Sequence, residues 1–403
     1  MAGSSERSAT GAASSADAPR PPQPVCGRIL VVLTEDWFAL SHFKPLLAEL
    51  RGLASEVVVA AGSSGRLDEL SALGVRPVAF EMRRGSFNPL LQADVRRRLA
   101  RLIEDERPDA VHAISLQPML LTSLAVDAAA HKPRALVLHV TGLGYIGVSR
   151  SFRARVMRMV AFGLIRYGSR AANVWLLAEN PDDLAFVLGR GIGTRDRSSI
   201  VPGAGVDPEW FAPLPPPHNA VPRAAFVGRL IRSKGVETLV AAHRQLRERG
   251  VALDLALYGA PDAHNPDAVT PETLAQWTAQ PGLTWHGHVN DVRNVWREAD
   301  IAAIPTLGGE GVPRAMLEAA ACGRPLVASD VPGCNHFVRQ GVEGALVSPG
   351  DAQALAEALE RLAVDAGLRC RQGDAARRRL VEGYTTEAVS RAIREAYREI
   401  FRR

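Results

Sequence analysis

The chain has 403 residues, of which 47% are hydrophobic, 23% charged and 5% aromatic, ordinary values for a globular protein of about two or three domains. Those proportions exclude a fibre, a disordered chain and a lone small binding module. The net charge of +5 comes mostly from arginine, and no recognised nucleic-acid module accompanies it, so nucleic acid is not expected as a partner. Residues 1–24 are rich in Ser, Ala, Pro and Gly without the apolar core of a signal peptide, and they read as a disordered tail. No stretch of about 18 consecutive apolar residues occurs, so no transmembrane helix is expected. Cys26, Cys322, Cys334 and Cys370 show neither close pairing nor zinc-ligand spacing, as in a structural set kept in a reducing compartment. A cytoplasmic protein, or one resting on a membrane surface, is the expectation.

The apolar run at residues 28–34 (RILVVLT) predicts a buried strand, followed by a polar turn and a helix over 41–51. Strands at 56–62, 77–80, 109–115 and 134–140 then alternate with helices at 66–73, 88–106 and 118–130. That rhythm predicts a doubly wound α/β sheet covered on both faces. The stretch 150–170 holds Arg150, Arg153, Arg155, Arg158, Arg166 and Arg170, interleaved with apolar residues and without an acid. It fits a basic amphipathic helix on anionic lipid, and equally a solvated helix face. Around 201–222 proline and glycine crowd together as in an interdomain linker. A second series follows, with strands at 223–228, 253–259, 283–287, 300–306, 325–330 and 344–349, helices at 234–248, 291–298 and 313–322, and helices from 351 to the end. Two such sheets leave a cleft into which the carboxyl ends of their strands open.

Two constellations in the second half carry chemistry. In VGRLIRSKG (227–235), Gly228 permits a close turn, and Arg229 and Lys234 set two cations beside a helix N-terminus that favours an anion. A diphosphate fits there, although cations at a helix start are also ordinary surface features. In EGVPRAMLE (310–318), eight helical residues set Glu310 and Glu318 roughly 12 Å apart. That matches the span from a hexose to the ribose of a nucleotide sugar, with Glu310 at the sugar, Glu318 at the ribose and helix amides at Gly311 and Val312 facing the phosphates. The alternative is a solvent-facing helix with ordinary glutamates, but Glu318 lies inside the apolar run AMLEAAA (315–321), where an unpartnered charge is costly.

Arg229 with Lys234, the paired glutamates, and CGRPLVASDVPGCNHFVRQGVEGALVSPGD (322–351) resemble glycosyltransferase family 4 over a span from about residue 28 to the C-terminus. TEDWFALSHF (34–43), HVTGLGYIG (139–147), ENPDD (179–183) and PGAGVD (202–207) are similar to bacterial enzymes of polysaccharide and lipid-linked oligosaccharide assembly. The resemblance implies the GT-B fold, with two doubly wound Rossmann-like domains facing each other across a cleft. The N-terminal domain spans 25–205, a linker 206–222 and the nucleotide-sugar domain 223–383, and a last segment, 384–403, returns to the N-terminal domain. It also implies a retaining, metal-independent transfer from a nucleotide diphosphate sugar, UDP by analogy, to a saccharide acceptor carried on polyprenyl diphosphate. The site would lie on the cytoplasmic face of the inner membrane, with no cofactor. Arg229 and Lys234 would hold the departing diphosphate beside Gly228, Glu310 the sugar and Glu318 the ribose. The backbone near His288 and Val289 would meet the base, and His139 would reach the sugar from the N-terminal domain.

Where many members carry a glycine-rich loop after the first strand, this chain has Thr34-Glu35-Asp36-Trp37, so Glu35, Asp36 and His42 become candidates for the acceptor side of the cleft. His286 and His288 lack an evident third metal ligand. Two other classes share the arrangement: a nucleotide-sugar epimerase, for which no acid and base pair is assigned, and a non-catalytic sugar-nucleotide binder, against which the intact charged set argues.

Overall fold

The computed structural model describes residues 24–82, 89–144, 147, 151–170, 172–262, 265 and 267–402; the expected tail before Pro24 and Arg150 lie outside them. Runs of Val, Ile, Leu and Ala form the interior strands, which are mostly buried on both faces, while the edge strands are short and partly exposed. In the first half these are β1 (Cys26–Glu35), β2 (Ala54–Gly62), β3 (Arg76–Ala79), β4 (Ala110–Ile114), β5 (Ala135–Val140), β6 (Val174–Ala178) and β7 (Ser198–Ile200). They make one parallel sheet in the order β3-β2-β1-β4-β5-β6-β7. Side chains alternate across β1, with Ile29, Val31 and Leu33 entering one core and Leu30 and Val32 the other.

The second half repeats the plan with β8 (Arg223–Val227), β9 (Asp254–Tyr258), β10 (Leu283–Trp285), β11 (Ile301–Ile304), β12 (Leu326–Ser329) and β13 (Gly344–Val347), ordered β10-β9-β8-β11-β12-β13. Each sheet reverses its strand order beside its first strand, which puts a ligand crevice at the carboxyl ends there. The final helix, Thr386–Arg402, lies against the N-terminal half. Its Val389, Ile393, Ala396, Tyr397 and Ile400 enter the core of Ile29 and Leu46, and Arg394 grips Glu49 through two bonds of 2.7 and 2.8 Å.

The sequence expectation stopped at the strand ending near residue 140, whereas β6 and β7 extend the sheet; β6 (VWLLA) is an apolar run like those of the expected strands, and β7 (SSI), at three residues, offers none. The expected polar turn after β1 is instead a helix, Asp36–His42, separated from the next helix, Lys44–Leu53, only by Phe43. The helix Phe152–Gly168 is capped by Ser151, which accepts the Ala154 amide. Its Ala154, Phe162, Ile165 and Gly168 are buried, while Phe152, Met159, Val160, Leu164 and Tyr167 are exposed on the other side.

Candidate active site

β8 ends at Val227, and the chain then makes a single 3-10 turn, Arg232–Lys234, before the helix Val236–Glu248. Gly235 joins them at φ 71°, and a Cβ there would stand 1.8 Å from the Pro305 carbonyl oxygen, so only glycine lets this turn press against the end of β11. Leu307 N–H donates to Ser233 O at 2.8 Å, which ties the loop after β11 to the same turn. The result is an ion pair between Lys234 Nζ and Glu310 Oε2. Glu310 Oε1 is buried and has no hydrogen-bond partner among the described residues. Burial pushes the Glu310 carboxyl upward, but the charge of Lys234 and its hydrogen bond, the nearby Thr306 hydroxyl, and Arg229 beyond hold it below the usual carboxylate range. Arg229 itself is held by Asp262 at 2.7 Å, a partner the sequence did not point to.

The helix expected from 313 begins at Arg314, with Pro313 as its cap and Gly308 and Gly309 at positive φ before it. Glu310 is therefore in a loop, and the spacing of roughly 12 Å that a continuous helix would give does not describe this pair. Glu318, on the helix, is buried and accepts from Arg314 Nε at 2.6 Å, four residues back. Burial raises its carboxyl and Arg314 opposes the rise. The costly unpartnered charge inferred from the apolar run thus has a partner, visible in retrospect from the i, i+4 spacing.

The N-terminal half closes onto this loop. Thr141 O accepts Gly311 N–H at 3.2 Å, Gly144 N–H donates to Gly309 O at 2.7 Å, and Arg314 Nη1 reaches Ser41 O. Glu179, at the end of β6, accepts Val312 N–H at 2.7 Å. The Gly311 and Val312 amides, expected to face phosphates, are thus engaged by the other domain here. The sequence alone gives Glu179, within ENPDD, no role. A Cβ on Gly311 would stand 2.0 Å from Glu179 Oε2, so Gly311 is what admits this carboxyl.

His139 is 1% exposed near the carboxyl end of β5. His42 ends the helix Asp36–His42 half-buried, with Nδ1 2.7 Å from Ser41 Oγ. Burial and the charges of Arg314, Lys234 and Arg229 push its pKa down to about 3, so the ring is neutral and on the cleft side. Asp36 is a correction. It is fully buried, and its carboxylate accepts from Trp37 N–H at 2.6 Å, Ser64 N–H at 2.9 Å, Ser64 Oγ at 2.5 Å and Arg66 N–H at 2.9 Å. It anchors the loop after β2 and has no capacity left for an acceptor. Glu35 sits at the end of β1 against Gly62. Gly228 follows β8, and its carbonyl oxygen would lie 1.9 Å from a Cβ on Gly259. His288 is exposed, Val289 packs against the core that holds Tyr258, Trp296 and Met316, and His286 stacks on Tyr258 with centroids 4.5 Å apart. Among the described residues no three His, Cys, Asp or Glu side chains converge as a metal site requires.

Residues 28–175 match the family described as glycosyl transferase 4-like, and residues 221–365 the glycosyl transferases group 1. The chain belongs to these family-4-like glycosyltransferases. One similar protein, N,N'-diacetylbacillosaminyl-diphospho-undecaprenol alpha-1,3-N-acetylgalactosaminyltransferase of Campylobacter jejuni, is 23% identical over 344 residues, covering 82% of this chain and 88% of that one. D-inositol 3-phosphate glycosyltransferase of Salinispora tropica is 36% identical over 155 residues, 36% of this chain and 32% of that protein. Among solved structures, sucrose-phosphate synthase of Thermosynechococcus elongatus superposes with a TM-score of 0.75 at 20% identity, covering 93% and 99% of the two chains. HepE of Anabaena in complex with UDP gives 0.72 at 16%, covering 92% and 100%. These likenesses identify the two-domain α/β arrangement as GT-B.

In the glycosyltransferase, the Glu179–Val312 contact between the two halves is expected to weaken as pH rises. Burial raises its carboxyl to about 8, with the Val312 amide opposing and Asp183 and Glu310 adding to the rise. Were that contact to open, the group would return toward its ordinary value of 4.5. The protonated form therefore favours the closed contact, fully below the ordinary value and decreasingly as pH rises through about 8. Small-angle scattering between pH 6 and 9 is expected to show the wild type opening with rising pH and Glu179→Gln staying closed. A radius of gyration independent of pH in both would contradict the coupling.

Proposed function

We propose that the enzyme is a retaining hexosyltransferase that moves a sugar from UDP to a lipid-linked saccharide during surface-glycan assembly. The observation that carries this is the Lys234–Glu310 pair, a cation and a half-free carboxylate held together at the carboxyl ends of β8 and β11. Glu310 Oε1, buried and without a partner among the described residues, suits a sugar hydroxyl. Lys234 and Arg229 suit the leaving diphosphate beside Gly228. Glu318 suits the ribose, the segment at His288 and Val289 the base, and His139 the sugar from the opposite domain. The UDP donor is supported by HepE, solved with UDP, and the lipid-linked acceptor by the printed name of the Campylobacter jejuni relative.

In the proposed step the bond from the anomeric carbon to the phosphate oxygen breaks, and the acceptor oxygen bonds to the same face. The acceptor hydroxyl proton passes to the departing phosphate oxygen. The charge that develops is on the leaving group, which two cations meet without a metal. The test is nucleotide diphosphate release by the full chain from a panel of UDP, GDP and ADP sugars, with and without a polyprenyl-diphosphate-linked saccharide, with product anomers read by NMR. Release from a UDP sugar that needs the acceptor, survives a chelator and retains the anomer is expected. An inverted product or a metal requirement would overturn the corresponding part.

The helix Phe152–Gly168 supports a peripheral membrane site on the cytoplasmic face. Phe152, Met159 and Tyr167 are 80%, 69% and 56% exposed along one stripe, flanked by the exposed Arg153, Arg155 and Arg166. No helix of the described residues is long and apolar enough to cross a membrane. Vesicles containing anionic lipid are expected to sediment the protein at low salt, and Met159→Asp with Tyr167→Asp to reduce binding about tenfold. Binding indifferent to lipid charge would remove this part.

A further inference from the structure

A buried chain of three side chains runs from the last helix to His139. Tyr397 Oη lies 2.9 Å from His112 Nδ1, and His112 Nε2 lies 3.2 Å from His139 Nδ1. All three residues are at most 1% exposed. The remaining ring nitrogen of His139, Nε2, is buried and has no hydrogen-bond partner among the described residues. We propose that Tyr397, acting through His112, is a positioning residue that fixes the tautomer of His139 so that Nε2 carries the hydrogen and donates it to an oxygen of the donor sugar. This inference rests on the proposed place of His139 at the sugar.

Three hydrogens are available, one per group. Burial keeps both imidazoles neutral by lowering their pKa, that of His139 to about 3, and keeps the Tyr397 hydroxyl protonated. Only two polarities are then possible. In the outward one, Tyr397 O–H donates to His112 Nδ1, His112 Nε2–H donates to His139 Nδ1, and His139 Nε2–H is left for a ligand. In the inward one, His139 Nδ1–H donates to His112 Nε2 and His112 Nδ1–H donates to Tyr397 Oη. The hydroxyl hydrogen is then left within the apolar core that Tyr397 shares with Ile29 and Ile393, where the Cys26 thiol, whose charge bears on Tyr397, is only a weak acceptor, whatever binds at the far end. A buried donor without an acceptor is less tolerated than an unfilled lone pair. Once a substrate oxygen meets Nε2, the outward polarity satisfies all three hydrogens and the inward polarity never does. Tautomer selection by the hydrogen bond on the other ring nitrogen is general for histidine. Here two histidines pass it on, and it begins on a helix more than two hundred residues downstream in the chain. Because neither imidazole titrates near neutrality, the donated bond persists across the working pH range.

The test uses Tyr397→Phe, which removes one oxygen and keeps the ring packed. Long-range 1H–15N spectra of the full chain labelled at histidine, recorded with a nucleotide-sugar donor bound, are expected to show His139 protonated at Nε2 in the wild type, and an Nδ1–H population appearing in the variant. kcat should fall about five- to twentyfold with KM within about twofold. His112→Leu should resemble Tyr397→Phe, and His112→Gln, whose amide both accepts and donates, should recover most of the lost activity. An unchanged His139 tautomer in Tyr397→Phe, or equal activity of His112→Leu and His112→Gln, overturns the proposal. If His139→Ala turns over at the wild-type rate while the tautomer still depends on Tyr397, the relay stands and the assignment of His139 to the sugar fails.

Discussion

Lys234→Ala lowers kcat by about a hundredfold or more, with kcat/KM falling in step. An interaction that strengthens as charge develops on a leaving group is typically worth about two to three orders of magnitude in turnover, and the ammonium is held for that task by Gly235 behind it and Glu310 beside it. Removing it also leaves the Glu310 carboxylate buried without its cation, so stability falls by about 1–3 kcal/mol. Glu310→Ala is expected to match the kinetic loss, because it strips the sugar-side acceptor and leaves Lys234 unpaired. Glu318→Ala instead raises the donor KM about tenfold and moves kcat by no more than a few-fold, since the ribose is remote from the reacting carbon. Steady-state kinetics with thermal melts separate these outcomes. Similar losses in all three variants, tracking melting temperature alone, would mean that the pair is structural and the site lies elsewhere.

The alternating sheets were legible because buried parallel strands read as apolar runs of fixed length, and the runs at 28–34 and 223–228 each became an interior strand beside the point where its sheet reverses order. Short strands such as Ser198–Ile200 carry no periodicity and were not. At the site, Lys234 and Glu310 were recognisable as a cation and an acid, each following a strand, but their direct pairing was not, because it depends on how β8 and β11, separated in the chain by β9 and β10, lie side by side. Asp36 shows the opposite failure. A charged residue after a strand resembles a cleft group, and only the backbone of the loop after β2, brought against it in space, reveals that its oxygens are spent. Glu179, His112 and Tyr397 belong to the same class, since their partners lie 133, 27 and 285 residues away, beyond the reach of any local pattern.

Gly235→Ala tests whether the turn that aims Lys234 is held by contact or only by backbone preference. Glycine is required on two separate grounds: φ is 71°, and the added Cβ would lie 1.8 Å from Pro305 O. The left-handed backbone alone costs a non-glycine residue about 1–3 kcal/mol. The overlap cannot persist, so the 232–235 turn and the end of β11 must separate, drawing Lys234 away from Glu310. Gly250, at the far end of the same helix, has φ 75° with nothing within 4 Å of its added Cβ, so Gly250→Ala measures the backbone cost by itself. Gly235→Ala is expected to lower Tm by about 5–10 °C and to lose turnover nearly as severely as Lys234→Ala, whereas Gly250→Ala lowers Tm less and leaves kcat unchanged. Equal melting temperatures for the two variants would show that the Pro305 contact yields at no cost. Full activity in Gly235→Ala would show that Lys234 reaches its position without it.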